Sequence, residues 1–247
     1  LVASYIFYGW WDQRFLFLIM LSTSVDFCCG LMIDRGKLTI AERLIPSLYT
    51  ILAAFLFVTV QWSGWYSNGN LWHQLFSSQL GWFIFLGTVG AVTLANLFFK
   101  KLASIPKTNR SQIFLVISIV TNLGIIGFFK YFNFFIDNAE VIISSFEMEV
   151  DFLKLNIILP VGISFYTFQT MSYTIDIYKG KMNATRHFFD FALFVSFFPQ
   201  LVAGPIERAS ALIPRLLNPR VLTMQKTTRG LFLIWFGLFK KVGIADS

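Results

Sequence analysis

Polar and helix-breaking residues interrupt an otherwise apolar stretch between residues 157 and 208. The stretch holds Pro160, Gly162, Ser164, Gln169, Asp176, Asp190, Pro199, Gln200 and Pro205. Irregular backbone and ionisable groups survive at membrane depth only where protein or a water-filled cavity covers them. The composition therefore predicts that this stretch forms one wall of a cavity inside a membrane.

The segment ILPVGISFYTFQTMSYTIDIY carries hydroxyl side chains at helical spacing, and Pro160 is well placed to open that helix. Five side chains recur every three or four residues along one face, namely Ser164, Thr167, Thr170, Met171 and Thr174. One interpretation is that the hydroxyls and the Gln169 amide face a cavity. The alternative is that the hydroxyls bond back to helix carbonyls and Gln169 joins two helices.

Two acidic residues stand out at or near membrane depth. Asp26 lies inside an apolar run, where a carboxyl group needs a partner or a neutral form. Asp176 lies near the predicted end of its helix, where a solvated position facing Lys179 or Lys181 competes with a catalytic role.

The metal-ligating residue types are few and poorly spaced. Cys28 and Cys29 are adjacent in one apolar run and read as small hydrophobic side chains. His73 and His187 lie in polar segments that favour interfacial roles. With two cysteines, two histidines and no ligand spacing, the sequence predicts no metal site.

The whole composition points to an integral membrane protein. Of the 247 residues, 56% are hydrophobic and 13% are charged, against about 25% charged in soluble proteins. The net charge of +7 resides largely in short loops, so nucleic acid is not the expected partner. Expected spans lie at residues 15–33, 44–62, 80–99, 113–136 and 157–178, and the expected fold is an all-α, polytopic transmembrane helical bundle.

Loop charges predict the orientation of these spans. Lys and Arg number three in residues 34–43, four in 100–112, three in 179–187 and five in 204–229, against none in 63–79 and one in 137–156. Basic loops favour the cytoplasmic side. Because two consecutive basic loops flank residues 188–203, which are short for a crossing, that segment is predicted to be a re-entrant or interfacial hairpin on the cytoplasmic side.

Several long strings carry a resemblance to a known family. ILPVGISFYTFQTMSYTIDIY, FFDFALFVSFFPQLVAGPIERASALIPRL, GLFKKVGIAD and NLGIIGFFKYFNFF resemble the membrane-bound O-acyltransferase family, in the bacterial branch typified by the alginate O-acetyltransferase membrane subunit. Against that family, the spans at about 44–62 and 80–99 are extra. Residues 1–247 are expected to form a single, partial membrane domain that is cut at both ends.

The resemblance implies an enzyme that moves acetyl from a cytoplasmic donor, acetyl-coenzyme A, toward an extracytoplasmic polysaccharide, with partner proteins and no bound cofactor. It places the protein in the bacterial inner membrane, in contact with lipid. The catalytic histidine is expected downstream of Ser247, so the chain alone is expected to be inactive. The residues expected to line the substrate tunnel are Gln169, Tyr173, Asp176, Pro199, Gln200, Gly204, Pro205 and Arg208. Transfer of D-alanine to teichoic acid and a transporter or flippase remain alternatives.

Overall fold

A computed structural model describes residues 1–60, 79–144, 159–160, 162–203, 207–219 and 222–245, and all regular structure within these ranges is helical. The helices are α1 (Val2–Trp11), α2 (Arg14–Asp34), α3 (Ile40–Ala54), α4 (Gln79–Ala103), α5 (Lys107–Ile126), α6 (Phe132–Ser144), α7 (Ile163–Tyr178), α8 (Phe188–Val195), α9 (Phe198–Ala203), α10 (Ala209–Leu217) and α11 (Met224–Lys240). Short π-helical turns follow α3 (Phe55–Thr59), α5 (Gly127–Tyr131) and α11 (Lys241–Ala245). The prediction of an all-α membrane protein is confirmed.

Four helical stretches are long and apolar enough to cross a membrane: Arg14–Asp34, Ile40–Thr59, Gln79–Ala103 and Lys107–Glu140. They correspond to the first four predicted spans. The expected fifth span begins later than predicted, because α7 starts only at Ile163, after Gly162 has adopted a left-handed φ of 72°. With 16 residues, α7 is about 24 Å long, whereas the hydrocarbon core is about 30 Å thick.

The chain divides into two compact units, Leu1–Ile213 and Pro214–Ser247. In the first unit, α2 lies at the centre and packs against α3, α5 and α7. Its central position explains why Ile19, Phe27 and Leu31 are completely buried. The single-domain organisation expected from the sequence stays a prediction.

The two spans expected to be extra, α3 and α4, pack against each other through polar side chains. The Asn96 amide donates to the Ser47 hydroxyl at 3.0 Å, and the Arg43 guanidinium donates to Asn96 Oδ1 at 3.1 Å. The Arg43 guanidinium also lies 4.2 Å from the centre of the Phe99 ring. These bonds fix the two helices to each other at one level.

The predicted hairpin at 188–203 folds as two short helices, α8 and α9, separated at Ser196 and Phe197. The helices have eight and six residues, so neither can cross a bilayer by itself. That this element is re-entrant or interfacial, and that it lies on the cytoplasmic side, stays a prediction.

Candidate functional site

The polar face of α7 lies against α2 and α5 in the centre of the first unit. Asp26 of α2 is completely buried. The Ser118 hydroxyl lies 2.5 Å from Asp26 Oδ1, and Asn122 Nδ2 donates to Asp26 Oδ2 at 2.8 Å. From α7, the Thr174 hydroxyl lies 2.9 Å from that of Ser118, and Thr170 donates to Asn122 Oδ1 at 3.2 Å. These five side chains are called the core polar cluster below.

The hydroxyls of α7 also bond to their own helix. Thr167 donates to the Ile163 carbonyl at 2.5 Å, Ser172 to the Gln169 carbonyl at 2.8 Å and Thr174 to the Met171 carbonyl at 3.0 Å. Such bonds satisfy hydroxyl groups that would otherwise be costly in an apolar setting. They match the back-bonding alternative that the sequence left open.

Gln169 and Tyr173 join α7 to α8. The Gln169 amide donates to the Phe194 carbonyl at 2.9 Å, one of the last carbonyls of α8, which have no partner within their own helix. The Tyr173 ring lies 4.4 Å from that of Phe191, and its hydroxyl accepts from the Thr185 N–H at 3.0 Å. Both side chains are buried and hold the first helix of the hairpin against α7.

The remaining predicted tunnel residues differ in exposure. Asp176 and Gln200 are buried, whereas Pro199 and Arg208 are exposed. The Asp176 side chain is therefore not in the solvated position at the helix end that the sequence had offered as one alternative. The Asp176 backbone carbonyl accepts from the Lys181 N–H at 2.9 Å. Gly204 and Pro205 lie outside the described residues. A role for all eight as the lining of an acyl passage stays a prediction.

Three of the predicted basic loops meet at one end of this core. Arg110, at the start of α5, donates from Nε to the Met32 carbonyl at 2.9 Å and from Nη1 to the Ile105 carbonyl at 3.2 Å. Asp34, at the end of α2, accepts from the Ala184 N–H at 3.1 Å. The loops after α2, before α5 and after α7 therefore share one end of the bundle, as the charge pattern requires.

An open pocket of about 600 Å³ lies near the other end of α2. It is lined by Val2, Tyr5, Ile6, Gly9, Trp10, Gln13, Leu16 and Phe57. None of the described tunnel candidates lines it. It belongs to α1, α2 and the π turn after α3.

Sequence reasoning missed Ser118, Asn122 and Arg110. Ser118 and Asn122 are four residues apart and so share one face of α5, which was a usable signal. The sequence alone did not show that Ser118 contacts Asp26, because the two residues are 92 positions apart along the chain.

Curated proteins similar to this chain have names that agree on one chemistry. The probable alginate O-acetylase AlgI of Azotobacter vinelandii is 42% identical over 165 residues, which are 66% of this chain and 33% of that protein. The corresponding protein of Pseudomonas syringae pv. tomato is 33% identical over 247 residues, which are 100% of this chain and 34% of the relative. The chain is a homologue of the bacterial alginate O-acetylases. The resemblance to the membrane-bound O-acyltransferases is thereby confirmed.

This O-acetylase homologue is also similar to the peptidoglycan O-acetyltransferase of Helicobacter pylori, with 38% identity over 162 residues, 55% of this chain and 30% of that protein. The chain spans about a third of the length of these relatives. No family profile matches the chain, and no solved structure matches it.

Proposed function

We propose that the chain forms part of a membrane O-acetyltransferase that moves acetyl from a cytoplasmic donor, acetyl-coenzyme A, toward an extracytoplasmic polysaccharide. The observation that carries this proposal is the 33% identity to an alginate O-acetylase along all 247 residues. The apolar spanning helices support a membrane location. We place the protein as a multi-pass protein of the bacterial inner membrane.

Within this proposal, α7, α8 and α9 supply one wall of the acyl passage. The bonds of Gln169 and Tyr173 to α8 and its following residues keep that wall rigid, which acyl positioning requires. Buried Gln200 follows on α9. The exposed Arg208 is available to meet a phosphate of the donor, for which a guanidinium is well suited, or a lipid headgroup, which has the same chemistry.

The acceptor is a polysaccharide in both kinds of relative. The names of the relatives specify alginate for the Azotobacter and Pseudomonas proteins and peptidoglycan for the Helicobacter protein. Both names specify O-acetylation, which favours acetyl over D-alanine as the transferred group and an enzyme over a transporter. Extracytoplasmic partner proteins are proposed to take part in the transfer.

The direct test uses membranes that contain the intact protein and acetyl-coenzyme A labelled in the acetyl group. Label in the purified extracytoplasmic polysaccharide, and its loss on mild alkaline treatment that cleaves esters, is the expected result. Transport of an unmodified glycan without label incorporation would contradict the proposal. Comparing alginate with peptidoglycan as the labelled fraction separates the two acceptors.

The role of Arg208 has a sharper test. Arg208→Gln removes the charge and the guanidinium fork but keeps a shorter, polar side chain. Loss of a charge-assisted bond costs about 1.5–3 kcal/mol, so transfer at low donor concentration should fall about tenfold or more. Arg186→Gln is the matched control, because Arg186 is also exposed on a predicted cytoplasmic loop.

Equal transfer by the Arg208 and Arg186 variants at equal protein levels would remove Arg208 from the donor site. A loss that disappears at saturating donor places Arg208 in donor binding. A loss of transfer that persists at saturating donor and varies with the anionic lipid content of the vesicles indicates a headgroup contact instead.

A further inference from the structure

Asp26 is an acidic side chain without an ionic partner in the middle of a spanning helix. It is completely buried, and among the described residues no Lys, Arg or His forms an ion pair with it. An isolated carboxylate in such a place is far costlier than a neutral acid. Burial therefore favours a neutral carboxyl group, whose hydrogen bonds the neighbouring side chains must satisfy.

The hydrogen bonds of the core polar cluster around Asp26 fit a neutral carboxyl group. Asn122 Nδ2 donates to Asp26 Oδ2 and also to the Ser118 carbonyl, so Oδ2 is an acceptor. The Thr170 hydroxyl lies 3.2 Å from Asn122 Oδ1 and 3.1 Å from the Thr167 carbonyl, and its one proton serves one of these two acceptors at a time. The remaining proton belongs at Oδ1, 2.5 Å from the Ser118 oxygen.

A one-way chain of donors then follows from Asp26. If Asp26 donates to Ser118, the Ser118 hydroxyl is free to donate to Thr174 at 2.9 Å, and Thr174 donates to the Met171 carbonyl at 3.0 Å. Each hydroxyl gives one bond and receives one. With Asp26 ionised, Ser118 must turn toward it, and Thr174 can serve only one of its two acceptors.

We propose that Asp26 is a neutral carboxylic acid that donates its proton to Ser118 and so heads a chain of hydrogen bonds linking α2, α5 and α7. Asp26 is a positioning residue in this arrangement. It sets the level of α7 against α2 without placing a fixed charge in the membrane.

Infrared difference spectroscopy on the purified intact protein at neutral pH tests the protonation state. The wild type minus Asp26→Asn spectrum should contain the carbonyl stretch of a protonated carboxyl group. A carboxylate band in its place would overturn the proposal. Asp26→Asn can reproduce the same donor and acceptor pattern, so its melting temperature should lie within about 2 °C of the wild type.

Ser118→Ala distinguishes a donor chain from simple packing. Removal of the acceptor should shift the Asp26 carbonyl band, whereas Ser24→Ala should not, because the buried Ser24 hydroxyl bonds only back to the Met20 carbonyl of its own helix. Equal spectra for both variants would contradict the chain. A melting temperature that rises with sodium concentration in the wild type and not in Asp26→Asn would show a cation in place of the proton.

Discussion

At the scale of single residues, Gly30 of α2 lies against Tyr173 of α7 with no room for a side chain. A Cβ added at Gly30 would lie 2.7 Å from Tyr173 Cε1 and 3.1 Å from the Tyr173 hydroxyl. Tyr173 is completely buried, so its ring has no room to retreat. The absence of a side chain at position 30 is therefore what allows Tyr173 to reach both Phe191 and the Thr185 N–H.

Gly30→Ala should destabilise the protein by about 1–3 kcal/mol, because the added methyl group displaces a ring in a filled core. Gly87→Ala in α4 is the control, since a Cβ there meets nothing within 4 Å. That variant should be neutral or slightly more stable, as alanine is the better helix former. Thermal unfolding of the two variants in detergent measures the difference, and equal melting temperatures would refute the close approach.

The bond from Gln169 to the Phe194 carbonyl yields a second prediction. Gln169→Leu has a side chain of roughly similar size but leaves that carbonyl without its donor, at a cost of about 1–3 kcal/mol. Ser172→Ala should cost little, because the half-buried Ser172 hydroxyl bonds only to the preceding turn of its own helix. Protease accessibility of the residues after α8, together with melting, checks whether the hairpin loosens in the first variant alone.

At the scale of elements, the end of α2 is organised around Arg110 and Gly36. Gly36 has a φ of 71°, and its N–H donates to the Leu31 carbonyl at 3.2 Å. A Cβ at this position would overlap the guanidinium carbon of Arg110. The turn after α2 thus leaves room for one arginine to bind the Met32 carbonyl of α2 and the Ile105 carbonyl of the loop before α5.

Gly36→Ala should therefore cost more than the left-handed backbone alone explains. Gly180→Ala measures that backbone cost by itself, about 1–2 kcal/mol, because Gly180 has a φ of 67° and nothing within 4 Å of an added Cβ. The excess at Gly36 should shrink when Arg110 is also replaced by alanine, which a double-mutant cycle on unfolding free energies will show. Equal costs at both glycines would mean that Arg110 does not occupy the turn.

The elements that the sequence predicted well are those with continuous apolar runs. Residues 15–33 and 80–99 correspond closely to α2 and α4. The span predicted at residues 44–62 begins later than α3, because the capping box between Thr39 and Glu42 extends that helix into polar sequence. The break at Ser196 and Phe197 had a signal in Pro199, because proline is accommodated in the first turn of a helix, and α9 begins at Phe198.

The site was less predictable than the helices, for a physical reason. The sequence indicated that Asp26 needs a partner, because a lone acid in an apolar run is costly. The identity of the partners depended on which faces of α2, α5 and α7 meet, and apolar runs around all three helices leave that choice open. Gln169 shows the same limit, since the sequence offered a cavity or a helix joint and only the packing supplied the contact with Phe194.

At the scale of the whole molecule, the remaining question is the side of the membrane on which the hairpin begins and ends. The loops after α2, before α5 and after α7 lie together, and their basic residues favour the cytoplasm. If α8 and α9 enter and leave on that side, residues 182 and 222 are both cytoplasmic. Single cysteines at Met182 and Leu222, in a chain whose Cys28 and Cys29 are replaced by alanine, report this directly.

In inside-out vesicles, a membrane-impermeant thiol reagent should label both Met182→Cys and Leu222→Cys, whereas right-side-out cells should protect both. Lys37→Cys is the control for the same side, since Lys37 is exposed in the turn after α2, and Gln13→Cys is the control for the opposite side, since it is exposed at the other end of that helix. Labelling of Met182→Cys and Leu222→Cys from opposite sides would make α8 and α9 one broken crossing. Because the proposed donor is cytoplasmic, that result would also move Arg208 away from the donor.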